Sequence, residues 1–491
     1  MGEANVTGAA AAAVRVLAVS RVAPAPAPAG SPAGPAGEAR VDLSFFDTPW
    51  VVLPPIQRVF LYDLPTGGGD EFPAAVRRLK DALAATLALY LPLAGKLSYA
   101  PETGDVFVDC ASGGDPGVSF FEAEAEAAAG GGDGMDMDVR RLSGDEAHDI
   151  PAFLALLPEH DTRVLPAPVL AVQATRLPGG LALGLSVHHA LADGQAVWRF
   201  MAAWAAAARD GSPVTKAIGP PHYDREVVRI PNGEEFAREM LRKVAPNLPV
   251  TNTAMDFDFS QRFRLARRTF YLAGDDIRSL KRRIDALAAA EEDAAGDGDN
   301  ATTTKKKKPV STFVALAALG WTAFVRAKGL AAGDDTYLVF LADLRARLDP
   351  PVADGYLGNC IKGCLATADA GDLVGGARGL LGACRAIQAA VAEMEAAPMA
   401  GTERWIQRMM TLPFERLANV AASPRFRVYE ASDFGFGRPA RVELVSMNHD
   451  GEMVLVGGRE EGEVQLSVSL DPAQMEEFKA HVLGAPPAPA N

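Results

Sequence analysis

Two adjacent histidines, His188 and His189, are the residues of this sequence best placed to do acid–base chemistry. They follow the apolar run 181–187 and precede a second apolar stretch that begins near Gly194. We therefore predict that a strand ends and a helix begins at this point. A neutral imidazole with a pKa of about 6.5 is suited to removing a proton at neutral pH. A positioned base typically contributes about 10²–10⁴ in rate, and the pattern favours His189 for this role.

Asp193 follows His189 by four residues, and this spacing leaves two roles open. In a tight turn its carboxylate would orient the imidazole. With a cation elsewhere in the chain it would instead form an ion pair that holds the loop. Asp193 also suits the N-cap of the predicted helix, because an aspartate there accepts a hydrogen bond from the first turn. His188 has a structural alternative as well, as a histidine of the core.

A second candidate segment, Asp433 to Gly437, alternates glycines with aromatic residues. Gly435 and Gly437 indicate backbone that a neighbour or ligand approaches closely, or conformations closed to other residues. The segment contains the kinase triplet Asp-Phe-Gly, but neither a glycine-rich phosphate loop nor a His-Arg-Asp motif precedes it, which excludes a kinase. Arg345 and Arg347 follow another predicted strand, where each guanidinium can pair with a carboxylate or remain solvated on a loop.

Composition excludes several classes of protein. The 48 Lys and Arg face 62 Asp and Glu, giving a formal net charge of −14, whereas non-specific nucleic-acid binding needs a broad basic surface. No stretch approaches the ~18 apolar residues of a membrane helix, and the first residues lack a signal-peptide pattern. Four scattered cysteines make no disulfide framework, and no spacing suggests a metal site. We expect a cytosolic protein with reduced cysteines and no nucleic-acid, membrane or metal partner.

Hydrophobic periodicity predicts two mixed α/β domains. The predicted helices cover 72–97, 194–208, 314–325 and a segment that starts near Asp471. The predicted strands are a hairpin over 169–187 and segments 336–341, 442–446, 453–456 and 464–469. Residues 214–260 show little periodicity, so we divide the chain into an N-terminal domain 1–213, this crossover, and a C-terminal domain 261–491. Segments 23–38 and 288–308 are low in complexity and are expected to be surface loops.

Taken together and in this order, three motifs resemble those of the plant BAHD acyltransferases. His189 to Asp193, followed by Gly194, matches the HxxxD motif of that family. Segment 433–437 is similar to DFGWG with Phe in place of Trp, and 356–360 (YLGNC) is similar to YFGNC with Leu in place of Phe. The third motif marks the clade that acts on anthocyanins, flavonoids and other phenolic glucosides. Further segments that read like family positions are 43–47, 91–97 and 310–314.

The resemblance implies an α/β, two-domain fold like that of chloramphenicol acetyltransferase, with a solvent channel between the domains. His189 would lie at the centre of the channel, with the acyl-CoA entering from one side and the acceptor from the other. The acceptor, deprotonated by His189, would attack the thioester directly in a ternary complex, without an acyl-enzyme. Acyl-CoA is then a co-substrate, no cofactor is needed, and the enzyme is expected to be a monomer.

The resemblance also assigns roles to single residues. His189 is the catalytic base, and family descriptions add the aspartate of the DFGWG motif, here Asp433. Asp193 points away from the reacting atoms and pairs with an arginine, for which Arg345 is the first candidate and Arg347 the second. The glycines expected to support the site are Gly194, Gly435 and Gly437. The residues expected to touch CoA are Ser311, Thr312 and, for the 3′-phosphate, Lys308.

The expected reaction is transfer of a malonyl or hydroxycinnamoyl group from acyl-CoA to a hydroxyl of a flavonoid, an anthocyanin or another phenolic glucoside. One alternative is an N-acyltransferase that acts on polyamines or aryl amines with the same histidine. Another is a non-catalytic relative that binds a ligand, which the intact His189, Asp193 and Gly194 disfavour. The sequence leaves open which acyl group is carried and which hydroxyl receives it.

Overall fold

The computed structural model of the chain describes residues 14–26, 40–64, 71–111, 116–125, 136–144, 147–251, 264–294, 309–402 and 404–484. The strands, in chain order, are β1 (Val14–Val22), β2 (Arg40–Asp42), β3 (Ile56–Asp63), β4 (Lys96–Ala100), β5 (Asp105–Asp109), β6 (Val118–Ala125), β7 (Ala167–Pro168), β8 (Leu170–Leu177), β9 (Gly180–Val187), β10 (Ala266–Leu272), β11 (Asp335–Asp343), β12 (Ile361–Asp369), β13 (Leu417–Ala421), β14 (Arg441–Glu443), β15 (Glu452–Gly457) and β16 (Val464–Leu470). The α-helices are α1 (Glu71–Leu87), α2 (Val139–Leu142), α3 (Ile150–Ala155), α4 (Gly194–Asp210), α5 (Gly233–Val244), α6 (Gly274–Ala294), α7 (Thr312–Lys328), α8 (Ala370–Leu373), α9 (Ala377–Ala396), α10 (Trp405–Met410) and α11 (Pro472–Leu483).

The chain forms two compact units, and each is assembled from segments that are distant in sequence. The first unit comprises 1–263, 344–361 and 428–446, and the second comprises 264–343, 362–427 and 447–491. The YLGNC and DFGFG segments therefore belong to the same unit as His189, unlike in the linear division at 213 and 261. One reason is that β14 pairs with β3 of the first unit rather than with the strands that follow it in sequence.

The two adjacent histidines follow β9, a central strand of the main sheet of the first unit. The strands of this sheet run in the order β1-β6-β8-β9-β3-β14, and all neighbours are antiparallel except β6 and β8. The predicted hairpin over 169–187 is confirmed as β8 and β9, which turn at Gly179 with a φ of 80°, a conformation that favours glycine. Every residue of β9 is buried, so the strand holds the next residues, His188 and His189, at the edge of a rigid core.

Helix α4 follows directly and confirms the helix predicted over 194–208. Asp193 caps its first turn, and Gly211 ends it in the left-handed conformation with a φ of 76°. The helix packs on α1, where Trp204 Nε1 donates a hydrogen bond of 2.9 Å to the Leu79 carbonyl. The position of Asp193 is thus determined by a long helix that is itself anchored in the core.

Two predictions about secondary structure differ from what the structure shows. The helix predicted over 72–97, with Pro92 as the residue that ends it, is present as α1 but is shorter than predicted. It ends at Leu87, Pro92 lies in the 3₁₀ turn 91–94, and β4 begins at Lys96. The crossover 214–260 contains α5, although we predicted little periodicity there. The buried face of α5 has its apolar residues at helical spacing, namely Ala237, Met240, Leu241 and Val244.

The second unit is built on a mixed sheet with the order β10-β16-β15-β13-β11-β12. The predicted strands 336–341, 453–456 and 464–469 are confirmed as β11, β15 and β16. The predicted helix 314–325 is confirmed within α7, which is buried along most of its length and packs against α6, α9 and α11. Among the residues that the structure describes, no helix combines the length and apolar composition needed to cross a membrane.

Candidate active site

His188 is a core residue that shapes the turn after β9. It is 1% exposed, its backbone N–H donates to the Val169 carbonyl (2.7 Å), and its Nδ1 accepts from the backbone of Ala190 (3.3 Å). Burial lowers the pKa of His188 to about 3, with a smaller contribution from the neighbouring His160 and His189. His188 is therefore neutral at physiological pH, and it corresponds to the structural alternative that its sequence left open.

The His189 imidazole is neutral and held in a fixed plane. Its ring stacks on Trp50, with centroids 4.1 Å apart and planes 10° from parallel. Burial lowers the pKa of His189 to about 4; the Arg58 charge acts in the same direction and Asp193 opposes it. The residue is only partly buried, whereas its Nδ1 is enclosed. A neutral imidazole that is partly exposed can act as a base.

Asp193 uses both carboxylate oxygens to anchor the site. Arg345 donates to Oδ2 (2.8 Å) and to Oδ1 (3.1 Å), and both side chains of the pair are 1% exposed. The backbone N–H of Ala196 donates to Oδ1 (3.0 Å) and that of Cys360 to Oδ2 (3.0 Å). These four bonds come from groups other than His189, so Asp193 is both the N-cap and the ion-pair partner that its spacing allowed. Arg345 is the partner we named first, whereas Arg347 is exposed.

Arg345 also fixes the YLGNC segment. It donates to the carbonyls of Tyr356 (3.3 Å) and Gly358 (3.1 Å), and its guanidinium lies 5.6 Å from the centre of the Tyr356 ring. At Gly358 a β-carbon would stand 2.5 Å from the Tyr356 Cζ, so only glycine lets the segment fold back on this ring. The motif is therefore held to the Asp193 anchor through its backbone.

A second buried carboxylate, Asp47, holds the backbone of His189 through Asn359. The Asn359 side-chain amide donates to Asp47 Oδ1 (2.9 Å) and to the His189 carbonyl (2.9 Å). The Asn359 backbone also donates to Asp47 Oδ1 (2.9 Å), and Arg225 Nε donates to Oδ2 (3.0 Å). Our sequence reasoning gave no role to Asp47, Trp50, Asn359 or Arg225. The available signal was that 43–47 and 356–360 both read like family positions.

The DFGFG segment lies at the other end of the same elements. Arg209, in the last turn of α4, donates to the Asp433 carbonyl, and about 24 Å of helix separates Arg209 from Asp193. Tyr62, at the end of β3 remote from the His189 turn, donates to the Ser432 carbonyl (2.7 Å). The structure therefore places Asp433 and His189 at opposite ends of α4 and β3, and a catalytic role for Asp433 stays a prediction.

The backbone conformation of the DFGFG segment explains why glycine occupies two of its positions. Gly435 and Gly437 have φ values of 89° and 99°, a region that side chains disfavour. Asp433 Oδ1 accepts a hydrogen bond from the Gly435 backbone (2.9 Å), and Phe434 is buried against Trp204 with ring centroids 4.9 Å apart. The segment is a turn that clamps the end of α4, in keeping with the supporting role expected for Gly435 and Gly437.

Two of the residues expected to touch CoA belong to the second unit. Ser311 is the N-cap of α7 and accepts a hydrogen bond from the Val314 backbone (3.2 Å), and Thr312 is the first residue of that helix. Lys308, the third, lies outside the described residues. Contact of these residues with CoA stays a prediction.

Comparison with known proteins decides the family. The model of the Transferase family matches residues 31–483. The chain belongs to this family, that of the BAHD acyltransferases. Malonyl-CoA:anthocyanidin 5-O-glucoside-6''-O-malonyltransferase of Arabidopsis thaliana is 29% identical, over 89% of this chain and 92% of the relative. Phenolic glucoside malonyltransferase 1 of Bemisia tabaci is 30% identical, over 96% of both chains.

The solved structure of vinorine synthase confirms the predicted two-domain α/β fold. It is 18% identical, covers 96% of this chain and 98% of its own, and superposes with a TM-score of 0.67. As a BAHD protein, the chain is an acyl-CoA-dependent acyltransferase with a small-molecule acceptor, as the HxxxD and DFGFG motifs indicated. The ion pair and the amide clamp described above hold the segment that carries His189 of the HxxxD motif.

We predict that Asp193→Asn destabilises the first unit by about 3–5 kcal/mol, because it leaves the Arg345 guanidinium buried without a counter-charge. Urea unfolding of the full chain measures the change. Adding Arg345→Met to this variant is expected to recover part of the loss, since it removes the orphaned charge. Lys243→Ala, which breaks an exposed pair with Glu239, is the control and should behave like the wild type. Wild-type stability of Asp193→Asn would contradict the anchor role.

We predict that Asp433→Asn keeps the acyl-transfer kcat within tenfold of the wild-type value. The residue lies far from His189, and an asparagine oxygen can still accept from the Gly435 backbone. The measurement is CoA release under saturating substrates, with Asp433→Ala as the companion that also loses the hydrogen bond. A fall of a hundredfold or more in Asp433→Asn, with an unchanged unfolding midpoint, would support a catalytic role for Asp433.

Proposed function

We propose that the protein transfers a malonyl group from malonyl-CoA to a sugar hydroxyl of a phenolic glucoside, including flavonoid and anthocyanin glucosides. The observation that carries the proposal is the neutral and partly exposed His189 imidazole, whose Nδ1 is enclosed. We infer that Nε2 is the nitrogen that faces the reactants. The choice of substrates is supported by the relatives, which are named for malonyl transfer to anthocyanidin and phenolic glucosides. Hydroxycinnamoyl-CoA is the second donor to be tested.

In the proposed reaction the acceptor hydroxyl gives its proton to His189 Nε2 while its oxygen attacks the thioester carbonyl. A new C–O ester bond forms, the C–S bond breaks, and the proton passes from His189 to the departing CoA thiolate. The burial that lowers the pKa of His189 keeps the imidazole unprotonated at neutral pH, although it also weakens the base. The Trp50 stack and the Asn359 clamp hold the ring in one orientation, which reduces the entropy lost in the transition state.

The proposal needs no proton relay. Asp193 and Asp47 are each committed to arginine and backbone donors, so His189 would work as a single base. Ser311, Thr312 and Lys308 remain our candidates for contact with CoA, and Gly194 supports the turn as the first residue of α4. We further propose that the enzyme acts as a monomer in the cytosol, with acyl-CoA as its only co-substrate and no cofactor.

We predict that His189→Ala lowers kcat by about 10²–10⁴ while CoA binding is retained, because only the proton acceptor is removed. The assay pairs malonyl-CoA and a hydroxycinnamoyl-CoA with a flavonoid glucoside, a simple phenolic glucoside and a polyamine. The control is His449→Ala, an exposed histidine of the second unit. A folded wild-type protein that turns over none of the pairs would refute the function, and a wild-type rate in His189→Ala would refute the base.

We predict that the acid limb of kcat/KM lies below pH 6 in the wild type. The base must be unprotonated to act, and burial lowers the pKa of His189 to about 4, so activity is lost only as the pH falls towards that value. Trp50→Ala admits water to the ring, which should raise the pKa and move the limb towards pH ~6.5. The pH–rate profiles of the wild type and of Trp50→Ala measure the two acid limbs. Recovery of activity after return to neutral pH controls for unfolding. A wild-type limb near pH ~6.5 would contradict the prediction.

A further inference from the structure

The Asp47 carboxylate is completely enclosed and accepts five hydrogen bonds from three residues. Ser44 donates to Oδ2 from its backbone N–H (2.9 Å) and from its hydroxyl (2.7 Å), and Arg225 Nε donates to the same oxygen (3.0 Å). Asn359 donates to Oδ1 from its backbone N–H and from its side-chain amide (2.9 Å each). Arg225 is the one charged donor of the three, so its guanidinium supplies the counter-charge that a buried carboxylate requires.

Arg225 reaches this carboxylate from the crossover 214–260, a segment to which the sequence assigned no function. Its side chain is 10% exposed. Its Nη1 donates to the carbonyls of Leu357 and Tyr223, and its guanidinium lies 5.2 Å from the centre of the Tyr356 ring. The side chain is therefore held in place by the crossover and by the YLGNC segment together.

The Asn359 amide connects this ion pair with His189. Its nitrogen Nδ2 donates both to Asp47 Oδ1 (2.9 Å) and to the His189 carbonyl (2.9 Å). An ionised carboxylate and a carbonyl can only accept hydrogen bonds, so a flipped amide would set its oxygen against two other oxygens. The charge of Asp47 therefore selects the amide orientation that binds the His189 carbonyl.

We propose that Arg225 is a positioning residue for acyl transfer. It acts on His189 through the Asp47 carboxylate and the Asn359 amide, and this inference rests on the function proposed above, in which His189 is the base. Without the guanidinium, the charge of Asp47 would be buried among neutral donors, which is unfavourable. The carboxylate would move towards water, and the amide would lose the partner that orients it. The imidazole would then sample orientations in which it cannot accept the proton.

The first test is steady-state kinetics of the full chain with malonyl-CoA and a phenolic glucoside. Arg225→Gln, which removes the charge, is expected to lower kcat by about 10–100-fold and to leave both KM values close to those of the wild type. Arg225→Lys, which keeps the charge, should recover part of the loss. The matched control is Arg229→Gln, because Arg229 follows the same 3₁₀ turn and pairs with the exposed Glu226 and Glu234. Wild-type kcat in Arg225→Gln, or a raised KM with unchanged kcat, would overturn the proposal.

A double-mutant cycle tests whether Arg225 acts through the amide. If it does, Arg225→Gln lowers kcat in the wild-type background but has little further effect in Asn359→Ala, because the connection to His189 is already broken there. Additive effects of the two substitutions on the logarithm of kcat would show that Arg225 acts by another route and would overturn the proposal. All variants are assayed below their unfolding midpoints.

A third measurement does not depend on turnover. In protein labelled with ¹⁵N-histidine, the imidazole signals of His189 are identified by their loss in His189→Ala. Arg225→Gln should shift or broaden these signals and leave those of the exposed His449 unchanged. Unchanged His189 signals would overturn the positioning role. Shifted signals, together with a wild type that turns over none of the substrates, would refute the acyl transfer while supporting the hold of Arg225 on His189.

Discussion

The buried ion pair between Asp193 and Arg345 joins two segments that lie 152 residues apart in the chain. Separating such a pair inside the core costs several kcal/mol, so it acts as a pin between the start of α4 and the loop that precedes the YLGNC segment. The same carboxylate accepts a hydrogen bond from the backbone N–H of Cys360. The same guanidinium donates to the carbonyls of Tyr356 and Gly358. The turn that presents His189 is built against this pin.

The second buried carboxylate explains why the histidine itself is so well placed. Asp47 connects with Asn359, 312 residues away, and Asn359 in turn holds the His189 carbonyl. Trp50, in the 3₁₀ turn that begins immediately after Asp47, covers the imidazole face. Two carboxylates thus position the catalytic loop without either of them bonding to the imidazole. Burial lowers the pKa of His189 and keeps the imidazole neutral.

The buried charges that stabilise this fold include arginines, although the net charge of the chain is negative. The chain is strongly acidic, but the arginines that matter for the fold are almost fully enclosed, among them Arg58 and Arg345 at 1% exposure. Buried guanidinium groups of this kind are tolerated only where hydrogen bonds and counter-charges meet them.

The amino-acid sequence alone predicts the elements whose pattern is local. The β8–β9 hairpin, α4 with its Asp193 cap and Gly211 stop, and the family motifs all depend on spacings of a few residues, which periodicity and turn chemistry report directly. It also supplied Arg345 as the partner of Asp193, but only through the resemblance to a family. A helix such as α5 was missed because its apolar residues were read within a stretch broken by Pro and Asn.

Contacts between residues that are distant in sequence depend on the tertiary structure. Pairing of β14 with β3 places the DFGFG segment in the first unit and, with the length of α4, at the far end from His189. The clamp of Asp47 and Asn359 and the stack of Trp50 join residues whose separation in sequence carries no periodic signal. Local patterns determine which face of an element is buried, whereas the partner that covers it follows from packing over the whole chain. For that reason His189 could be named from the sequence as the candidate base, whereas Asn359 and Trp50, which contact it or its backbone, and Asp47, which holds Asn359, could not.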